Sequence, residues 1–255
     1  MTKIGVLGLG LIGGSIFKKL RELNYDVIGI SASQKGEGIF GDIERLSDCN
    51  LVFVCTAMNK CLETLDRLEN IMPANAVVTD VCSLKGFVCN KKRPYKFIPS
   101  HPMAGTEHKG FENSFPELFK GAKWVLTPVF GNEGLELLQS IIEQLGAQTI
   151  ITTPEKHDEA AALISHMPLL VAQGLFMCAE DNPLALEMAS SGFRDMTRLA
   201  LSNEEMANDM FTMNSTNIEH AILKLYKSLG ELTNGNYPQR VKEIKKKRAA
   251  MSFRT

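Results

Sequence analysis

The sequence predicts an α/β fold in which a doubly wound parallel sheet occupies the first half and an all-helical unit the second. Two observations carry this. As far as residue 153, short β-rich runs alternate with stretches of helical spacing, the pattern of strand–helix–strand units. After Thr153-Pro154 the strand-like runs stop and only helical segments follow.

The elements follow in order. Residues 4–9 form an apolar run typical of a buried strand, and residues 13–23 have helical spacing. Residues 27–30, 51–55 and 76–80 read as the next three strands, and 96–99, 124–127 and 148–152 as three more. Residues 60–71 and 134–145 are helical between them. Only twenty residues separate Ile30 from Leu51, and they include Gly36, Gly38 and Gly41. A full crossover helix plus a strand does not fit there, so that helix is expected to be missing or vestigial. In the second half, residues 155–179, 183–190, 203–229 and 237–250 are helical, with Pro154 suited to the first turn. The expected domains are 1–153, binding a dinucleotide, and 154–255, helical.

Composition narrows the function classes. The formal net charge is −1, against the strongly basic balance of an electrostatic nucleic-acid binder. Hydrophobic residues make up 44 % and charged residues 22 %, as in globular domains. The first residues, Met1-Thr2-Lys3-Ile4-Gly5-Val6, carry no basic segment ahead of a long apolar one, so no secretory leader is expected. No apolar run reaches roughly 18 residues, so no membrane span is expected. Cys49, Cys55, Cys61, Cys82, Cys89 and Cys178 form no C-x-x-C pair and read as reduced thiols of a cytoplasmic protein. His101 and His108 lack a third ligand, so no metal site is expected. The basic stretch 240–248 is interrupted by Glu243 and reads as a solvated helix face.

Gly8-Leu9-Gly10-Leu11-Ile12-Gly13 is G-x-G-x-x-G, placed after an apolar strand and opening a helix. That context makes it a dinucleotide fingerprint of a Rossmann-type domain. Gly8 permits the tight turn, Gly10 lets a pyrophosphate approach the backbone, and Gly13 allows close helix–strand packing. The helix N-terminus supplies N–H donors. Leu11, Ile12 and Thr56, which follows the third strand, are assigned to the same cofactor. The second strand ends at Ser31, where NAD-binding domains carry an Asp or Glu for the ribose hydroxyls. With Lys35 nearby, the cofactor is NAD or NADP.

His101 lies in Ser100-His101-Pro102-Met103-Ala104-Gly105-Thr106-Glu107, after a strand expected to end at Pro99. That places it at the carboxyl edge of the sheet, where open α/β sheets bind ligands. Ser83, in Asp80-Val81-Cys82-Ser83-Leu84-Lys85-Gly86, ends the preceding strand and can meet the same substrate.

These segments resemble the prephenate/arogenate dehydrogenase family of tyrosine biosynthesis. The matching pieces are 8–15, 81–86 and 101–107, then His157-Asp158, Ser165-His166-Met167-Pro168 and Gly192-Phe193-Arg194-Asp195-Met196-Thr197-Arg198, in family order. The resemblance implies an oxidative decarboxylation dependent on a nicotinamide cofactor. In it His101 is the general base, Ser83 orients the substrate hydroxyl, and Arg198 binds a substrate carboxylate. By the same resemblance Asp158 holds Arg198, Ser165 lines the pocket, Thr106 binds substrate, and Glu107 sits at the site mouth. The helical domain is implied to pair two copies into a homodimer.

Two positions depart from the family pattern. Leu169 stands where many prephenate-type members carry a second His, and Ala207 where some relatives place an aromatic residue. The rival readings are a β-hydroxy-acid dehydrogenase, whose base would be a Lys on the first long helix, and a non-catalytic dinucleotide sensor. Residues 155–179 contain only Lys156, at the start. A sensor has no need for His101, Ser83 and Arg198 to converge.

Overall fold

The structure, a computed structural model, describes residues 2–106 and 108–251. β1 (Lys3–Leu7), α1 (Leu11–Glu22), β2 (Asp26–Ile30), β3 (Ile39–Phe40), β4 (Leu51–Val54), α2 (Met58–Leu68), β5 (Val77–Asp80) and β6 (Lys96–Phe97) follow in sequence. The strands form a six-stranded parallel sheet in the order β3-β2-β1-β4-β5-β6. As expected, no α-helix joins β2 to β3, and a single 3-10 turn, Ile43–Asp48, precedes β4.

The pleat of β4 shows how the sheet is covered on both faces. Val52 and Val54 pack with Leu65, Leu68 and Val78 on the α2 side. Leu51 and Phe53 pack with Ile16, Phe17, Leu20 and Trp124 on the α1 side. Successive residues thus enter opposite cores, which is why the strand reads as a continuous apolar run and not as an alternation.

A second sheet holds β7 (Ser100–Pro102), β8 (Lys123–Leu126) and β9 (Gln148–Ile151), with α3 (Leu135–Gln144) between β8 and β9. β7 runs antiparallel to β8, and β9 parallel to it. This corrects the sequence reading of one strand over 96–99. The chain switches sheets at Ile98-Pro99, and His101 sits within a short strand, paired with Val125, not beyond a strand's end. A proline lacks an N–H for a ladder, so Pro99 suits the break.

The second half comprises α4 (Pro154–Ala161), a π-helical turn (Ala162–His166), α5 (Met167–Glu180), α6 (Pro183–Glu187), α7 (Ser191–Thr197), a 3-10 turn (Arg198–Leu201), α8 (Glu204–Met213), α9 (Ser215–Asn234) and α10 (Tyr237–Ala249). Thr153 caps α4 by accepting from Lys156 N at 3.4 Å, with Pro154 in the first turn. Two further corrections arise. The helical stretch 203–229 is broken at Asn214, and α7 forms where no element was expected. The helical run Pro154–Glu180 is also long and apolar enough, by length and composition, to cross a membrane. Counting uninterrupted apolar residues missed it, because Ser165, His166 and Gln173 punctuate the run.

The core of the helical half is small: Ala162, Ile218 and Ala221. Leu169, Ala207 and Met210 instead join the α2-side core with Leu84 and Val88, which docks the helices onto the sheet.

Candidate active site

In a parallel sheet all strand carboxyl ends share one edge, and the loops after β1, β4 and β5 meet there. The loop after β1 is the glycine-rich one. Gly8 has φ +95°, and a Cβ there would meet Cys55 O at 2.7 Å. A Cβ on Gly13 would meet Gly8 O at 1.9 Å, whereas a Cβ on Gly10 would meet nothing within 4 Å. The glycines at 8 and 13 are required by the turn itself, and the one at 10 leaves the backbone open to a ligand. Leu11 and Ile12 pack on the α1-side core. Thr56, opposite this turn after β4, buries its Oγ1 without a hydrogen-bond partner. An orphaned buried hydroxyl beside an open glycine backbone suits a polar ligand such as a dinucleotide phosphate or ribose. Ser31 Oγ accepts from Gln34 N at 3.0 Å and from Ser33 N at 3.3 Å, capping the turn that follows β2.

The loop after β5 is clamped from two sides. Asp80 Oδ2 accepts from Cys82 N at 2.9 Å and from the buried Lys85 ammonium, which also donates to Ser100 O at 2.6 Å. Asp158 of α4 accepts from Lys85 N and Gly86 N, both at 2.8 Å. Between these clamps lies Ser83, half-buried, its hydroxyl unengaged by any other described residue. Cys61, Asp80 and Cys82 bring three metal-ligand atoms together. The Asp80 carboxylate of this group is already paired with the Lys85 ammonium.

His101 is carried over this loop by β7. Ser100, beside it, is buried and accepts from Trp124 Nε1 at 2.9 Å and Thr79 Oγ1 at 2.8 Å, which fixes the strand from below. The His101 ring meets the His157 ring edge-on, Nδ1 to Nε2 at 2.9 Å. His157 Nδ1 lies 2.7 Å from Asp158 Oδ1. Burial pushes the His101 imidazole well below its ordinary 6.5, and the neighbouring His157, Lys85 and His166 push the same way. His101 is therefore neutral at pH 7, with a lone pair available. His166 is buried, faces Asn214 Nδ2 at 3.1 Å, and is pushed down by burial to about 4. Asn214 also donates to Asp158 O at 2.9 Å, tying the start of α9 to this cluster.

The structure thus joins Asp158 to the loop just past Ser83 and, through His157, to His101, but not to its expected partner. Its carboxylate is filled by His157 and two backbone N–H groups, and it does not hold Arg198. Arg198 is exposed at the start of its 3-10 turn and has no hydrogen bond or ion pair with another described residue. Ser165 is exposed on the π-helical turn, and Thr106 is exposed with its Oγ1 accepting from His108 N at 3.2 Å. Glu107 lies outside the described residues. Leu169 and Ala207 are both buried core residues. Sequence reasoning gave no site role to Asp80, Lys85, His157 or Asn214. The tandem His157-Asp158 and the polar break at Asn214 were the available signals.

The chain is also similar to known proteins. Residues 34–151 match the family model for the prephenate dehydrogenase nucleotide-binding domain, and residues 153–245 match that for the prephenate dehydrogenase dimerization domain. The glycine-rich loop lies ahead of the first match. The chain is 30 % identical to prephenate dehydrogenase of Bacillus subtilis (strain 168), over 83 % of this chain and 64 % of that protein. It therefore spans less than two thirds of that relative's length. The crystal structure of Synechocystis arogenate dehydrogenase superposes with a TM-score of 0.83 at 32 % identity, covering 97 % of this chain and 98 % of that one. That of A. aeolicus prephenate dehydrogenase, in complex with hydroxyphenyl propionate and NAD+, superposes with a TM-score of 0.86 at 27 % identity, covering 99 % of each chain.

Proposed function

The chain belongs to the prephenate dehydrogenase family, and from that premise we propose that it is an NAD(P)-dependent oxidoreductase acting on prephenate or arogenate. The reaction is oxidative decarboxylation to 4-hydroxyphenylpyruvate or tyrosine. The observation that carries this reading is His101, tied through His157 and Asp158 to the clamped loop after β5, which leaves the same sheet edge as the open glycine turn. Residues 1–153 are the dinucleotide-binding domain and 154–255 the helical domain.

His101 accepts the proton of the ring hydroxyl, and Ser83 orients that hydroxyl. A bound nicotinamide would supply the hydride acceptor for the carbon that carries this hydroxyl. The bond to the ring carboxylate breaks, its electron pair completes the aromatic ring, and CO2 leaves. Arg198 offers its planar fork to a substrate carboxylate, Ser165 lines the pocket, and Thr106 meets the substrate beside it. Gly8, Gly10, Gly13, Leu11, Ile12, Thr56 and Ser31 hold the cofactor. The test crosses prephenate or arogenate with NAD or NADP and follows nicotinamide absorbance. Turnover in at least one combination is expected, and none in all four overturns the proposal.

Cofactor choice is expected to be modest. Ser31 lacks the carboxylate that repels a 2′-phosphate, and exposed Lys35 is the nearest cation in sequence. An exposed Lys contributes roughly 1 kcal/mol or less, so the affinities for NAD and NADP are expected within about a hundredfold of each other. Ser31→Asp keeps a turn-capping oxygen but adds charge, and is expected to move the Kd ratio toward NAD. An unchanged ratio by calorimetry shows that Ser31 does no more than cap its turn.

The partner is a second copy of the chain. Leu201 is 85 % exposed, Tyr226 76 % and Met188 73 %, a large apolar surface for helices with so small a core of their own. A homodimer burying more than ~2,000 Å² is expected, and a monomer mass by light scattering at micromolar concentration refutes it. The near-neutral charge supports an enzyme without a nucleic-acid partner, and the free thiols support a cytoplasmic one.

A further inference from the structure

Among the described residues, His157 is the one side chain hydrogen-bonded to the His101 ring. We propose that His157 and Asp158 are positioning residues that fix the proton of His101 on Nδ1 and leave its Nε2 bare toward the substrate. The identity of the reaction rests on the dehydrogenase reading above; the proton assignment does not.

Two of the donors to Asp158 are backbone N–H groups, which cannot reverse. Asp158 Oδ1 accepts from Lys85 N and Oδ2 from Gly86 N, both at 2.8 Å. The same Oδ1 faces His157 Nδ1 at 2.7 Å. A carboxylate held by two backbone N–H groups remains an acceptor, so His157 Nδ1 donates to it. With its ring proton on Nδ1, His157 presents the lone pair of Nε2, which faces His101 Nδ1 at 2.9 Å. His101 Nδ1 donates in turn, and its free lone pair is on Nε2. The chain Asp158–His157–His101 does through two rings what a single carboxylate does for the base of a hydrolytic triad.

This arrangement also answers an electrostatic problem. The groups around His101 are Lys85 on the β5 loop, His157 on α4 and His166 on the π-helical turn, all of which oppose a positive charge there. As His101 takes the substrate proton, its new charge is passed along the hydrogen bonds toward Asp158. His166 is pushed down to about 4 and does not compete for that carboxylate. Asp158 also holds Lys85 and Gly86, just past Ser83, so one carboxylate sets the base and the serine loop together. Substituting His157 separates the two functions, because it leaves the loop's hydrogen bonds in place.

The test uses the full chain, 15N-labelled at histidine, and reads the His101 ring nitrogens by NMR, with kinetics in parallel. Wild type is expected to show a protonated Nδ1 and a bare Nε2. His157→Leu removes the acceptor, and the His101 proton is expected to move to Nε2 while kcat falls roughly 10²-fold with KM and dinucleotide Kd little changed. His157→Gln keeps a carbonyl within reach of Nδ1 and is expected to recover about tenfold of that loss. His101 protonated on Nε2 in wild type overturns the proposal, as does an active wild type matched in kcat by His157→Leu. An inactive wild type overturns the dehydrogenase reading instead, and the NMR arm then decides the proton assignment alone.

Discussion

His101→Asn is expected to lower kcat by ~10²–10⁴ while leaving dinucleotide affinity nearly unchanged. The asparagine amide superposes on the Nδ1 side of the ring, so it keeps a group facing His157 and removes only the nitrogen that takes the substrate proton. The strand that carries it is fixed independently, through Ser100, Trp124 and Thr79. Loss of fold is therefore not the expected route to loss of rate. The glycine turn and Thr56 belong to other loops, which is why dinucleotide binding is expected to stay. Because the ring is pushed well below 6.5, the wild-type rate is expected to hold level through neutral pH and to fall only under acid conditions, as His101 gains a proton. A variant with near wild-type turnover removes His101 from the role of base.

The fold was legible because its signals are local. Each central strand is a run of apolar residues buried on both faces, and β4 shows the pattern in four residues. The missing helix between β2 and β3 followed from chain length, since twenty residues cannot hold a helix and a strand with loops. What escaped were places where tertiary contacts override the local pattern. The strand expected over 96–99 splits because Ser100 is drawn down to Trp124 in another sheet. The helix expected over 203–229 breaks because the Asn214 side chain is committed to Asp158 and His166.

The site was legible in the same uneven way. Gly8 and Gly13 are dictated by backbone geometry within one turn, so the motif alone specified them. His101 and Ser83 were singled out because polar residues stand out against the apolar runs beside them, although His101 lies within a strand and not past its end. Asp158 was found with the wrong partner. Its three donors come from residues 85, 86 and 157, and two of them are backbone groups that no sequence pattern displays. Arg198, by contrast, was named through its motif, and in the folded chain it stands free of the carboxylate assigned to it.

That freedom sets the size of the second large effect. Asp195, three residues earlier, is engaged by Arg194 Nε at 3.2 Å, so Arg198 keeps its whole fork for a ligand. Two magnitudes compete. An exposed ion pair is worth ~0–1 kcal/mol, which would raise KM less than about fivefold on removal. A desolvated bidentate contact is worth ~2–5 kcal/mol, or roughly thirtyfold and more. Arg198 lies between Met196, 59 % exposed, and Leu201, 85 % exposed, on the apolar surface that a second copy of the chain would cover. Covering those side chains takes the guanidinium out of water, so the larger magnitude is expected. Arg198→Gln should raise the KM for the cyclohexadienyl substrate by about thirtyfold or more, with little change in the KM for the cofactor. The variant should melt near the wild-type temperature, because no described residue depends on the guanidinium. A rise below fivefold places Arg198 on an open surface, and a shift in the cofactor KM instead places it at the dinucleotide.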